Sequence, residues 1–138
     1  MADSESESEE NNSIVVVDPD PTSRNASEDL EDDFERQIIA MDSVEFDTES
    51  SEDVLEASVY IISWDLGVRC GADLLEEVRH NPRLAGKTVL IATSQPTAGL
   101  VRCALELGAD GVCMKPYDAA EIAKLLERAD AAGAGSAA

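Results

Sequence analysis

Hydrophobic positions in this chain come in short, unbroken runs separated by longer stretches of helical spacing. The clearest run is Val59-Tyr60-Ile61-Ile62, which ends at Ser63-Trp64-Asp65. It shows no apolar–polar alternation, so it predicts a strand buried on both faces, the kind found in parallel sheets covered by helices. Ile14–Val17, Gln37–Met41, Thr88–Ala92 and Gly111–Met114 repeat the signal. Between the strands the apolar residues recur three and four apart. Thr22–Phe34 is expected to be an acidic helix with Leu30 and Phe34 inward, and a loop from Asp42 should lead into a short helix over Glu52–Ala57. Ala72–His80 places Leu74, Leu75 and Val78 on one face and closes at Asn81-Pro82. Pro96–Leu107 carries Leu100, Val101, Ala104 and Leu107, and stops at Gly108. Asp118-x-x-Glu121 has the form of a capping box opening a last helix with Ile122, Leu125 and Leu126 inward. The order βαβαβαβαβα predicts an α/β domain: a doubly wound, parallel, five-stranded sheet with helices on both faces and right-handed crossovers.

With 138 residues there is room for one domain and one core. The segment 1–12 (MADSESESEENN) has too little apolar surface to repay ordering and is expected to be a disordered acidic tail. The domain should span 13–129, and the Ala/Gly/Ser-rich end, 130–138, is expected to be flexible. The net charge of −20 is unevenly spread: residues 1–58 hold 20 acids against Arg24 and Arg36 (−18), whereas 59–138 hold 10 acids against 8 bases (−2). So acidic a chain should repel nucleic acid and anionic lipid. An acidic tail with one acidic face fits this asymmetry better than a uniformly salt-adapted surface. No run approaches the length of a membrane span, and the acidic N-terminus is unlike a signal peptide, so a cytoplasmic location is expected. Cys70, Cys103 and Cys113 lack metal-site spacing and fit reduced thiols. His80, the single histidine, has no second ligand at metal spacing.

Asp18, Ser63, Thr93 and Lys115 each fall at the C-terminal end of an expected strand. A doubly wound sheet brings such ends to one rim, where its sites form. No G-x-G-x-x-G or Walker motif follows the first strand, which argues against dinucleotide or nucleoside triphosphate binding. The rim holds no nucleophile–base pair, so an unrelated α/β enzyme is not expected.

From about Ser13 to Arg128 the chain resembles the receiver domain of bacterial response regulators, the fold of the chemotaxis response regulator. The resemblance rests on Val15-Val16-Val17-Asp18, Gly71-x-x-Leu74-Leu75, Val89-Leu90-Ile91-Ala92-Thr93, and Gly108-Ala109-Asp110-Gly111 running into Lys115-Pro116. It implies a flavodoxin-like (βα)5 fold and a phospho-acceptor pocket built from Asp18, Asp20, Ser63, Asp65, Thr93 and Lys115. Receivers carry an acidic pair after strand one and an acceptor aspartate after strand three, which together hold Mg²⁺, and a Thr or Ser and a Lys contact the phosphoryl group. Their Lys-Pro bond is usually cis.

The chain departs from this pattern in the acidic pair and at the acceptor. The pair is Asp18-Pro19, with Asp20 one step later. Asp18 to Ser63 is 45 residues, Ser63 to Thr93 is 30, Thr93 to Lys115 is 22 and Ser63 to Gly71 is 8, all receiver spacings without a gap. They put Ser63, not Asp65, at the acceptor position. A serine needs a base and forms a stable ester, whereas a carboxylate forms a labile acyl phosphate. Losing carboxylates also removes affinity for Mg²⁺, leaving Asp18 and Asp65 as at most weak ligands. Asp18 is then expected to pair with Lys115. Bland roles compete with each of these: Asp18 as a helix cap, Thr93 bonding nearby backbone, Asp65 as a solvated loop acid and Trp64 as a packed rim residue. Val112 stands where many receivers carry an aromatic switch residue. The resulting reading is a pseudo-receiver, not an enzyme, acting as a protein-interaction module in two-component or phosphorelay signalling. Its partner, a histidine kinase or a downstream effector, would dock on the face from Leu100 to Lys124, and a homodimer is left open. The rival reading is a working phospho-receiver that uses Asp65, with Asp18 and Asp20 binding Mg²⁺.

Overall fold

The structure, a computed structural model, describes residues 12–67 and 69–137. The elements in chain order are β1 (Ile14–Val17), α1 (Pro21–Glu28), α2 (Leu30–Phe34), β2 (Ile38–Met41), α3 (Glu52–Glu56), β3 (Val59–Ser63), α4 (Gly71–His80), β4 (Thr88–Thr93), α5 (Ala98–Glu106), β5 (Gly111–Met114) and α6 (Ala119–Ala137). The five strands form one parallel sheet in the order β2-β1-β3-β4-β5. This is the flavodoxin-like order, in which the chain reverses direction across the sheet between β1 and β3.

The unbroken apolar runs are explained by burial on both sides. Val15, Val17, Tyr60, Ile62, Val89 and Ile91 pack against Val54, Leu74, Leu75, Val78 and Ala104 from α3, α4 and α5. Ile14, Val16, Ile61, Leu90, Ala92 and Cys113 pack on the other face against Leu30 and Ile122 from α2 and α6. Every residue of β1 and β3 is buried. The register pairs Val17 with Ile62, Ser63 with Ala92 and Ala92 with Cys113. The residues just beyond these pairs therefore emerge at one rim.

The acidic segment after β1 differs from the single helix expected over Thr22–Phe34. It forms two helices meeting at Asp29, whose N–H bonds back to Ala26 O at 3.2 Å, an i−3 contact that tightens the chain. With Leu30 and Phe34 as its only apolar residues on the core, beside the small buried Ser27, little packing holds one straight axis through the join. The capping box expected at Asp118 and Glu121 is not formed. Asp118 Oδ1 accepts from Ala120 N–H (3.1 Å), but Glu121 Oε1 accepts from Met114 N–H (3.2 Å), the backbone amide at the end of β5. α6 runs from Ala119 to Ala137, and the alanines of that end are good helix formers. α5 begins at Ala98, capped by Thr97 Oγ1 on Leu100 N–H (3.2 Å), two residues later than expected. The expected acidic tail lies outside the described residues except for Asn12.

Gly71 fixes the connection between β3 and α4. A Cβ there would lie 2.4 Å from Ser63 O and 2.9 Å from Trp64 Cα, so only glycine fits against the end of β3. Its N–H donates to Trp64 O at 2.7 Å, and Asp65 bridges to Cys70. Among the described residues no helix is long and apolar enough to cross a membrane.

Candidate functional site

A pocket of about 300 Å³ opens at the C-terminal rim, lined by Asp18, Pro19, Asp20, Ser63, Asp65, Gly67, Thr93, Ser94 and Lys115. All six residues expected from the sequence meet there. Their side chains are nevertheless committed to one another and to local backbone.

Asp18 follows β1 directly and is fully buried. Its Oδ1 accepts from Asp20 N–H at 3.0 Å. Its Oδ2 accepts from the Tyr117 hydroxyl at 2.6 Å and pairs with Lys115 Nζ at 3.0 Å. The Asp18 carbonyl accepts from Arg24 Nη1 at 2.7 Å. Lys115 is delivered by β5: its N–H bonds Thr93 O at 2.9 Å, and the Lys115–Pro116 peptide is cis. The expected Asp18–Lys115 pair is thus present. The cap of the following helix is Asp20 rather than Asp18, with Oδ1 on Thr22 N–H (3.0 Å) and Oδ2 on the Ser23 hydroxyl (3.3 Å).

Ser63 is the last residue of β3 and is buried, its hydroxyl donating to the Asp65 carbonyl at 3.2 Å. Asp65 is exposed, and its Oδ1 accepts from Gly67 N–H at 3.0 Å. Thr93 Oγ1 accepts from Gln95 N–H at 3.1 Å, the local backbone role weighed for it above. Trp64 is half-buried and packs against the α3–α5 core, as does Val112. His80 is exposed at the end of α4, with Nδ1 2.9 Å from Glu76 O. The three cysteines are free, and burial pushes the Cys113 thiol up to about 12.

Tyr117 and Arg24 were not singled out by the sequence. The aromatic after Lys115-Pro116 was the available signal for Tyr117, but its partner lies 99 positions away. Burial first, and then donation to Asp18, push the Tyr117 phenol far above its ordinary value, so it stays a proton donor.

Mg²⁺ takes oxygen ligands in near-octahedral array. Here the Asp18 oxygens already face an amide, a phenol and an ammonium, while Asp20 and Asp65 bond local donors. Among the described residues no group of three or more His, Cys, Asp or Glu side chains is placed to hold a metal. A divalent cation at Asp18 would have to displace these donors. A larger groove, about 890 Å³, lies at the opposite end of the strands beside Ser58, Lys87 and Thr88, and contains none of the expected site residues.

No protein-family model and no curated protein matches the sequence. Solved structures do match. A putative response regulator from Chloroflexus aurantiacus superposes with a TM-score of 0.75 at 20% identity, covering 87% of this chain and 98% of that one. The chemotaxis protein CheY4 of Vibrio cholerae gives 0.71 at 18% identity, covering 86% and 98%. The Mn²⁺-bound form of the response regulator Rcp1 gives 0.66 at 15% identity, covering 83% and 88%. The chain therefore has the flavodoxin-like fold of response-regulator receiver domains.

Proposed function

We propose that this chain is an atypical receiver that works in two-component or phosphorelay signalling as a protein-interaction module, without ordinary aspartyl phosphorylation. The observation that carries the reading is Ser63 at the end of β3, buried and bonded to a carbonyl that cannot act as its base. An unactivated serine is a poor phosphoryl acceptor. The engaged carboxylates support a second part of the reading: Mg²⁺ is bound weakly, through Asp18 and Asp65, or not at all. Its partner is a histidine kinase or downstream effector docked on the face from Leu100 to Lys124, where Leu105 and Met114 are exposed. The charge of −20 argues against nucleic acid or an anionic membrane as partner, and the reading places the protein in the cytoplasm, alone or as a homodimer. One observation favours the rival: Asp65 lines the same pocket as Asp18 and Asp20. A phospho-receiver using Asp65 as acceptor would need Asp18 and Asp20 to release their present partners and bind Mg²⁺.

The test is an amide NMR titration with Mg²⁺ and then with beryllofluoride as phosphoryl mimic. The interaction-module reading expects spectra unchanged at millimolar concentrations. Shifts clustered at Asp18, Asp65, Thr93 and Lys115 would establish the rival.

A further inference from the structure

Asp18 is the one charged residue among those buried in the described part of the chain. A buried carboxylate persists only where positive charge and hydrogen-bond donors replace its water. One replacement, Asp20 N–H, is local. The other two, the Tyr117 hydroxyl and the Lys115 ammonium, come from a loop about a hundred positions along the chain and both meet Oδ2. That loop joins β5 to α6. Its backbone is held at Lys115 by Thr93 O, and Tyr117 packs its ring against the core face shared by α2 and α6.

We propose that Tyr117 and Lys115 form an internal cap on Asp18, standing where a cation would otherwise sit, and that this contact pins the loop leading into α6 to the end of β1. Cation occupancy of the pocket and the closed position of residues 115–119 are then mutually exclusive. A cation reaching Oδ2 must displace the ammonium and the phenol, and the loop that carries both moves with them. Tyr117 is in these terms a positioning residue: it acts through Asp18 and through the loop. The inference rests on the inert pocket proposed above and adds what keeps it inert.

The experiment uses Mn²⁺ alone as paramagnetic probe, with amide NMR on the wild type, Tyr117→Phe and Lys115→Met. The wild type is expected to show no selective broadening around Asp18. Tyr117→Phe, which removes only the hydroxyl, is expected to show selective broadening at Asp18 and its rim neighbours, and Lys115→Met more, since it also removes the competing charge. A purely structural role for Tyr117 would leave Mn²⁺ binding unmoved. Hydrogen exchange of the 116–120 amides should quicken in Tyr117→Phe on the order of tenfold, the scale of one hydrogen bond to a charged group. Should Lys115→Met fail to fold, Tyr117→Phe decides alone. Selective broadening at Asp18 in the wild type equal to that in the variants would overturn the cap, as would a Tyr117→Phe protein unchanged in both readouts. Beryllofluoride uptake at Asp65 by the wild type would instead overturn the interaction-module reading, so the two failures are told apart.

Discussion

Replacing Gly71 by alanine sets two effects of opposite sign against each other. Gly71 is the first residue of α4, and alanine is favoured over glycine within a helix by about 1 kcal/mol, less at the first position. Against this stands the geometry. The added carbon would sit 2.4 Å from Ser63 O and 2.9 Å from Trp64 Cα, both backbone atoms that cannot rotate away. Comfortable separation is roughly 3.5 Å, so β3 and α4 must part by about 1 Å. Overpacking of this kind costs about 1–3 kcal/mol. The same displacement stretches the 2.7 Å bond from Gly71 N–H to Trp64 O, a further loss of about 1 kcal/mol. The steric term wins, and Gly71→Ala is expected to be less stable by about 2–3 kcal/mol, a fall in Tm of roughly 10 °C for a domain of this size. Urea unfolding followed by the fluorescence of Trp64, the single tryptophan, measures it beside the site of strain. Gly99→Ala is the control. Nothing lies within 4 Å of its added Cβ in α5, so it should gain roughly 0.5 kcal/mol. If Gly71→Ala matches or exceeds the wild type, the close approach of α4 to Ser63 is wrong, and with it the loop geometry that sets the pocket wall.

The remaining predictions concern the opposite end of α4 and the alkaline limb of stability. Arg79 donates to Gly108 O (2.8 Å), Ala85 O (2.8 Å) and Lys87 O (2.7 Å), and pairs with Asp110 at 2.9 Å, joining α4 to the turn before β5. Arg79→Ala leaves those carbonyls without their donor and should cost about 2–4 kcal/mol in urea unfolding, whereas Asp110→Asn should cost less than half of that. A loss within 0.5 kcal/mol for Arg79→Ala would mean that water replaces the guanidinium freely. Burial, the first cause for each, raises Cys113 from 9.0 to about 12 and raises Tyr60 and Tyr117 above their ordinary 10.0. A raised folded value means that the folded state holds its proton longer than the unfolded one, so this stability is complete below about pH 9 and declines as pH rises through 10 and beyond. Unfolding free energies between about pH 8 and 11 should therefore slope downward, less steeply in Tyr117→Phe, and a flat profile would show that these groups are not desolvated as described.

Much of this protein was legible in its sequence because strands buried on both faces announce themselves. Each unbroken apolar run became a strand, and the polar residue after it, from Asp18 to Lys115, marked the rim of a parallel sheet. Strand ends alone were enough to bring Asp18, Ser63, Thr93 and Lys115 into one pocket, because parallel strands in register align their ends; Asp20 and Asp65 were added to it only by the resemblance to receivers. Chemistry at the pocket was a different matter. Whether a carboxylate binds a cation or an internal donor depends on which donors the loops deliver within about 3 Å, and no periodicity encodes that. Tyr117 reaches Asp18 across 99 positions, Glu121 turns from its own helix to the Met114 amide, and Asp20 takes the capping role considered for Asp18. The two helices in place of one after β1 have a similar origin, since a thin apolar face leaves the packing to choose the axis. The sequence by itself determined the sheet, its rim and the serine at the end of β3, all set by local pattern and burial. Only the tertiary structure decided which partners neutralise the buried charge, because those partners are adjacent in space and remote in the chain.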